Sequence, residues 1–262
     1  MDDETRTASE GHTPDTASVA TANRFVRRGS LIAGVALLLM VPLAAFANFV
    51  VLEGVITPGS GARTASAILA AEGAFRLAIA SLFVVAVLDL VVAWALYVVF
   101  EPVSSGVALF MAWLRIVSAG VFMVAISQLA GVLSVLTTAG PGSAFSTEQY
   151  YAQALFDINA FYDIWDAALI LVGAHLVVLG YLMYRSGTVP SYQSGWVPTV
   201  LGVLLAVAGV GYVFDSFARV LVAGYSVEVA AFTFLGEVLL IFWLFLYGRR
   251  IRPDEEAASA VD

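Results

Sequence analysis

The sequence predicts an all-α integral membrane bundle of six transmembrane helices, and three observations carry that prediction. The chain of 262 residues is 61% hydrophobic and only 12% charged, with a mean hydropathy of +0.92, a balance that leaves too little polar surface for a water-facing domain. Apolar runs long enough to cross a hydrocarbon core of about 30 Å, at about 1.5 Å per residue, recur six times along it. Arginines cluster at the ends of these runs on one side, which places both termini in the cytoplasm of a cell membrane.

In order along the chain, residues 1–23, MDDETRTASEGHTPDTASVATAN, are polar, acidic and poor in large apolar side chains, and are expected to be a disordered tail. Residues 24–252 form the expected transmembrane domain, and the acidic stretch 253–262 is a second disordered tail. The first span covers about 30–52. Its RRGSLIAGVALLLMVPLAAFA has the basic start and A-x-A ending of a signal peptide, but the apolar run continues through NFVVL, which favours a retained helix. The second and third spans are placed at about 76–100 and 105–136. Between the third and fourth lies FSTEQYYAQALFDI, where Ser146 and Gln149 have capping-box spacing and Tyr150, Tyr151 and Leu155 suit a membrane surface, so a short interfacial helix is expected before helix 4. The remaining spans are about 159–184, 196–222 and 228–248. Glycines in LGVLLAVAGVG are read as close helix packing, since the run lies inside an apolar span. Splitting the chain into three plus three helices yields halves without matching residues.

Arg24, Arg27 and Arg28 precede the first span, Arg185 ends the fourth, and Arg249, Arg250 and Arg252 follow the sixth. An even number of spans puts all of these on one face. All 12 basic residues are arginine.

The ionisable residues inside the spans are the candidate site. Asp89 lies 11 residues before Phe100, Arg115 lies 10 after Ser105, His175 lies 10 before Arg185 and Glu237 lies 11 before Gly248. Each count corresponds to a depth of about 15–17 Å, the middle of the bilayer. A lone charge there costs about 2.5–3.5 kcal/mol on insertion scales, so the four are expected to face inward and meet. Arg115 is the expected hub, bridging two carboxylates. With His175 neutral the formal sum is −1, which favours uptake of one proton on a carboxyl group or on the imidazole. Two readings of this layer stay open: a structural clamp that fixes helix order, and a proton relay or binding site for a small polar solute.

A second group is placed near the outer face. In GYVFDSFARVLV, Asp215 and Arg219 are four apart with the acid first, the favourable order for an intrahelical pair. Asp163 and Asp166 of NAFYDIWDAALILVGAH share a helix face, whereas His175, nine residues beyond Asp166, lies about 180° around the helix. The acids are therefore assigned with Arg76, Asp215 and Arg219 to an outer vestibule. The outer side counts Glu53, Glu72, Glu148, Asp157, Asp163, Asp166, Asp215 and Glu228 against Arg63, Arg76 and Arg219. Such an excess either draws cations or is a solvated surface adapted to salt.

Other functions find no support. The chain has no cysteine, which excludes disulfides, iron–sulfur clusters and thiolate zinc, and His12 and His175 are its only histidines, so no metal site and no cofactor are expected. No basic stripe suits nucleic acid. H-E-x-x-H, G-x-S-x-G, Walker A and dinucleotide signatures are absent, leaving no assigned catalytic residue and an intramembrane enzyme as the weakest reading. Trp94, Trp113, Trp165 and Trp243 are read as core or interface anchors.

Three stretches, FRLAIASLFVVAVLDLVVAWALYVVFEPVSSGVA, FMAWLRIVSA and LGEVLLIFWLFLYG, resemble a family of multi-pass prokaryotic membrane proteins catalogued as domain of unknown function 4386. The similarity covers most of the region from helix 1 to helix 6. It implies that Arg76, Asp89, Arg115, Glu237 and Trp243 occupy the family's typical polar and aromatic positions. After helix 4, MYRSGTVPSYQSGWVPTVLGVLLAVAGVGYVFDSF departs from the pattern by an extra polar stretch. The resemblance supplies no activity, so function must be argued from the site.

Overall fold

The computed structural model describes residues 16–138, 145–188, 195–225, 227, 229, 235–246 and 248. Every regular element among them is helical. Helix α1 (Thr16–Ala45) starts upstream of the first arginines and runs on through a π-helical stretch, Phe46–Leu52, into a last turn at Glu53–Val55. Pro42 stands just before the π stretch and cannot donate to the helical ladder, which favours a local change of pitch. A turn with Gly59 at φ 73° leads to the short helix α2 (Gly61–Ala70). There the Thr64 hydroxyl bonds both the N–H and the carbonyl of Thr57, at 3.0 and 3.1 Å.

The long helices follow: α3 (Glu72–Phe100), α4 (Ser105–Thr138), α5 (Thr147–Ser186), α6 (Trp196–Leu221) and the shorter α7 (Leu235–Leu246). Five segments, beginning with Arg24–Val55, are long and apolar enough to cross a membrane, and α7 is a shorter apolar helix. The expected residues of the sixth span at 230–234, the charged Glu228, Arg249, Arg250 and Arg252, His12 and the C-terminal tail lie outside the described residues.

The separate interfacial helix expected before helix 4 is not formed. The capping box is present, with Ser146 Oγ accepting from the Gln149 N–H and Gln149 Oε1 accepting from the Ser146 N–H. From that cap, however, one helix of 40 residues continues to Ser186. No proline or glycine stands between Thr147 and Val172 to break it, and α2 packs along its first turns, with Gly61 so close to the Tyr151 carbonyl that a methyl group on it would come within 2.7 Å.

Neighbouring long helices pack in chain order, α1 on α3, α3 on α4, α4 on α5 and α5 on α6, and α7 closes the ring against both α6 and α1. The Ser30 hydroxyl donates to the Leu244 carbonyl at 2.7 Å across that closure. The tightest seam joins α5 to α6. Gly173 faces Gly209 and Gly180 faces Gly202, and a methyl group on Gly180 would lie 2.5 Å from the Gly202 carbonyl oxygen. Glycines seven apart on both helices let the two backbones touch. The outward faces are apolar; Trp94 and Trp113, each more than half exposed, point away from the ring, as lipid-facing side chains do.

Two apolar clusters fill the ring, one above the other. The first holds Val92–Phe100 positions of α3 with Met111, Leu176–Met183 positions of α5, Leu201, Leu205 and Trp243. The second holds Val51 and Leu52, Phe75–Ala86 positions of α3, Ile126, Leu129 and Phe161. Along α3, α4 and α5 the stretches between the clusters hold Asp89, Arg115 with Ser118, and His175.

Candidate functional site

Between the two clusters lies a cavity of about 150 Å³ to which every long helix contributes, through Met40, Asp89, Arg115, His175, Tyr212 and Glu237. The four ionisable residues found by counting depth thus line one space. Asp89 sits on α3 where that helix passes from one cluster to the other, and an Arg115 Nη2 to Asp89 Oδ1 ion pair of 2.5 Å ties α3 to α4. Arg115 Nη1 reaches His175 Nε2 at 3.2 Å, and His175 Nδ1 lies 3.0 Å from the Met111 carbonyl oxygen.

These contacts fix the imidazole. A carbonyl oxygen only accepts, so Nδ1 carries the proton, and Nε2 must then present its lone pair to the guanidinium. His175, fully buried, is the neutral Nδ1–H form with both nitrogens occupied. Arg115 is therefore a hub for one carboxylate and one imidazole, where two carboxylates were expected; Glu237 is not within ion-pairing distance. With Arg115 balanced by Asp89, the surplus negative charge of the layer resides on Glu237. Its Oε1 is buried without a hydrogen-bond partner, as is Arg115 Nε. The Tyr212 hydroxyl lies beside the Glu237 carboxylate.

Sequence reasoning missed Tyr212, Ser118 and Trp165, which also line the cavity. Trp165 forms an aromatic wall with Phe122 and Phe161, at ring-centroid distances of 4.3 and 5.4 Å. Depth counting does not group them with the four ionisable residues, since Ser118 lies 13 residues after Ser105, Tyr212 16 after Trp196 and Trp165 20 before Arg185. Trp243 is buried and stacks on Phe100.

The residues assigned to an outer vestibule are spread over several places. Arg76 pairs with Glu72 at 2.7 Å and borders a groove of about 310 Å³ between α3 and α4, with Ile79, Phe83, Leu133 and Thr137. Arg219 of α6 pairs with Asp166 of α5, beyond the glycine seam. Asp215 accepts from the Tyr225 hydroxyl at 2.6 Å, and that hydrogen bond, with some desolvation, raises the phenol's pKa. Asp163 is exposed. None of Asp163, Asp166, Asp215 and Arg219 lines the central cavity. No set of three or more histidines and acids among the described residues is arranged to hold a metal ion.

An apolar helical ring with a polar centre and a lipid-facing exterior defines a multi-pass membrane protein. The chain matches the family described as domain of unknown function (DUF4386) over residues 32–248 and belongs to it. It is similar to an uncharacterised protein of Archaeoglobus fulgidus, 34% identical over 173 residues, which are 66% of this chain and 85% of that protein. No solved structure matches.

Proposed function

We propose that this protein is a permease-like, proton-coupled carrier of a small polar solute, with six spans, both termini cytoplasmic, and the central cavity as its exchange site. The supporting observation is that Asp89, Arg115, His175 and Glu237, from four helices, line one cavity in which a carboxylate oxygen has no partner. Buried ionisable groups inside a membrane bundle mark pathways or relays, and an unpaired one is the position at which a proton or solute gains most. Glu237 is the exchanging group; Arg115 and Asp89 hold it in a fixed field, and His175 locks Arg115. The orientation rests on the arginines before the first span and after the fourth and sixth.

The test is proton movement in proteoliposomes carrying a pH-sensitive dye. The carrier dissipates an imposed pH gradient, and Glu237→Gln stops it; a parent protein that leaves the gradient intact, with and without candidate solutes, sinks the reading.

A second reading, a structural protein whose charges lock the bundle, is favoured by the Arg115–Asp89 pair and the fully bonded His175. It requires Glu237→Gln to leave every transport measurement unchanged.

A further inference from the structure

We infer that the central cavity binds a small protonated amine carrying its own hydrogen-bond acceptor, an amino alcohol being the simplest such molecule, in competition with a proton at Glu237. The inference rests on the carrier reading and names its solute class.

Four features of the cavity select this chemistry. First, the pair of Arg115 with Asp89 and the neutral His175 leave one uncompensated carboxylate, so a ligand of charge +1 completes the balance, whereas an anion or a zwitterion does not. Second, two buried polar atoms lack partners: Glu237 Oε1 needs a donor and Arg115 Nε–H needs an acceptor. An ammonium group meets the first and a hydroxyl or amide oxygen the second. Third, most of the remaining wall is apolar and aromatic, with Trp165, Phe122, Leu82 and Val172, which suits a short carbon linker. Fourth, a bare metal ion would need several converging ligands, and no group of three or more among the described residues provides them. The volume of about 150 Å³ compares with roughly 30 Å³ per water in the liquid, so it admits a molecule of about five non-hydrogen atoms, and a quaternary ammonium, having no N–H, cannot donate to Glu237 Oε1.

The groups that face Glu237 are Tyr212 from α6, Arg115 from α4 and Asp89 from α3; α1 presents only Met40 and Ala44 to the cavity, and His175 of α5 is held by Arg115. Among the described residues no other buried carboxylate oxygen lacks a partner. The exchange is balanced: the carboxylic acid of Glu237 releases its proton to water as R–NH3⁺ enters, and the carboxylate accepts from the ammonium.

The experiment is calorimetric titration of the full chain in detergent with ethanolammonium, in buffers of different ionisation enthalpy. Where Glu237 is protonated, binding releases close to one proton and the apparent Kd rises about tenfold per unit fall in pH. Ethylammonium, which lacks the acceptor, binds about tenfold more weakly, and tetramethylammonium and acetate do not bind. Folded Glu237→Gln, checked by circular dichroism, loses ethanolammonium binding. Should that variant fail to fold, the proton release of the parent decides. Absence of ethanolammonium binding at any pH, binding without proton release across the range, or equal binding by Glu237→Gln overturns the inference. If ethanolammonium fails to bind while proteoliposomes still pass protons, the solute class is wrong and the carrier reading survives; if it binds with proton release but no gradient is dissipated, the site stands and the carrier reading falls.

Discussion

The two halves of the bundle differ in how many helices they hold together. In the half that contains Phe100 and Leu244, all six long helices contribute buried side chains to one cluster. In the half that contains Phe75 and Ile158, the cluster is built from the end of α1, α2, α3, α4 and the start of α5, and among the described residues it takes nothing from α6 or α7. There an ion pair of Asp166 with Arg219 adds to the contact between α5 and α6. Among the described residues the first cluster therefore joins the whole ring, whereas the second joins only α1 to α5.

Substitutions sharpen this contrast. The largest effect is expected at the boundary: Asp89→Asn strands the Arg115 guanidinium in the interior and should cost about 3–5 kcal/mol of stability, as breaking one side of a buried pair does. Unfolding in detergent measures it, and a double mutant with Arg115→Gln should recover much of the loss. Next is Gly180→Leu in the closed half, where the added side chain meets the Gly202 backbone; overpacking of this kind costs about 1–3 kcal/mol, occasionally more, and a neutral outcome would show that the seam can spread. Glu237→Gln is expected to be neutral or stabilising by at most about 2 kcal/mol, since it removes a charge that no ion pair balances while leaving a group that can still bond Tyr212. In the other half, Arg219→Gln should cost about 0–1 kcal/mol, and less at high salt, because its ion pair is partly exposed. The smallest effect belongs to Tyr225. Its phenol pKa is raised in the folded protein, so its contribution is complete below the ordinary tyrosine range and fades as pH climbs through the raised value; spectrophotometric titration of Tyr225→Phe against the parent should remove one late-ionising phenol.

Much of this arrangement was legible in the sequence. The all-helical class and the long apolar helices follow from apolar run length, and counting at about 1.5 Å per residue singled out Asp89, Arg115, His175 and Glu237, which line one cavity. Counting gives depth but not rotation, which is why it could not say that Arg115 would choose His175 over Glu237. The close packing read into LGVLLAVAGVG is found at Gly202 and Gly209, yet their partners Gly173 and Gly180 depend on the register of two helices, which no local pattern encodes. The Ser146–Gln149 cap was readable because capping is local. That its helix would run unbroken into the fourth span was also written locally, in the absence of proline and glycine from Thr147 to Val172, although the expected interfacial helix overlooked it. The π stretch after Pro42 was missed because a proline signals disturbance without specifying its form.

The helix α7, which closes the ring against α1, is also the last of the described helices in chain order, and that order governs biosynthesis. Asp89 and Arg115 lie on consecutive helices, so each can neutralise the other as soon as that hairpin leaves the ribosome and enters the bilayer. His175 follows, uncharged. Glu237 arrives last, on the helix that completes the wall. The nascent chain therefore carries a balanced interior through most of its assembly, and its unbalanced acid is delivered only when there is a finished chamber to receive it.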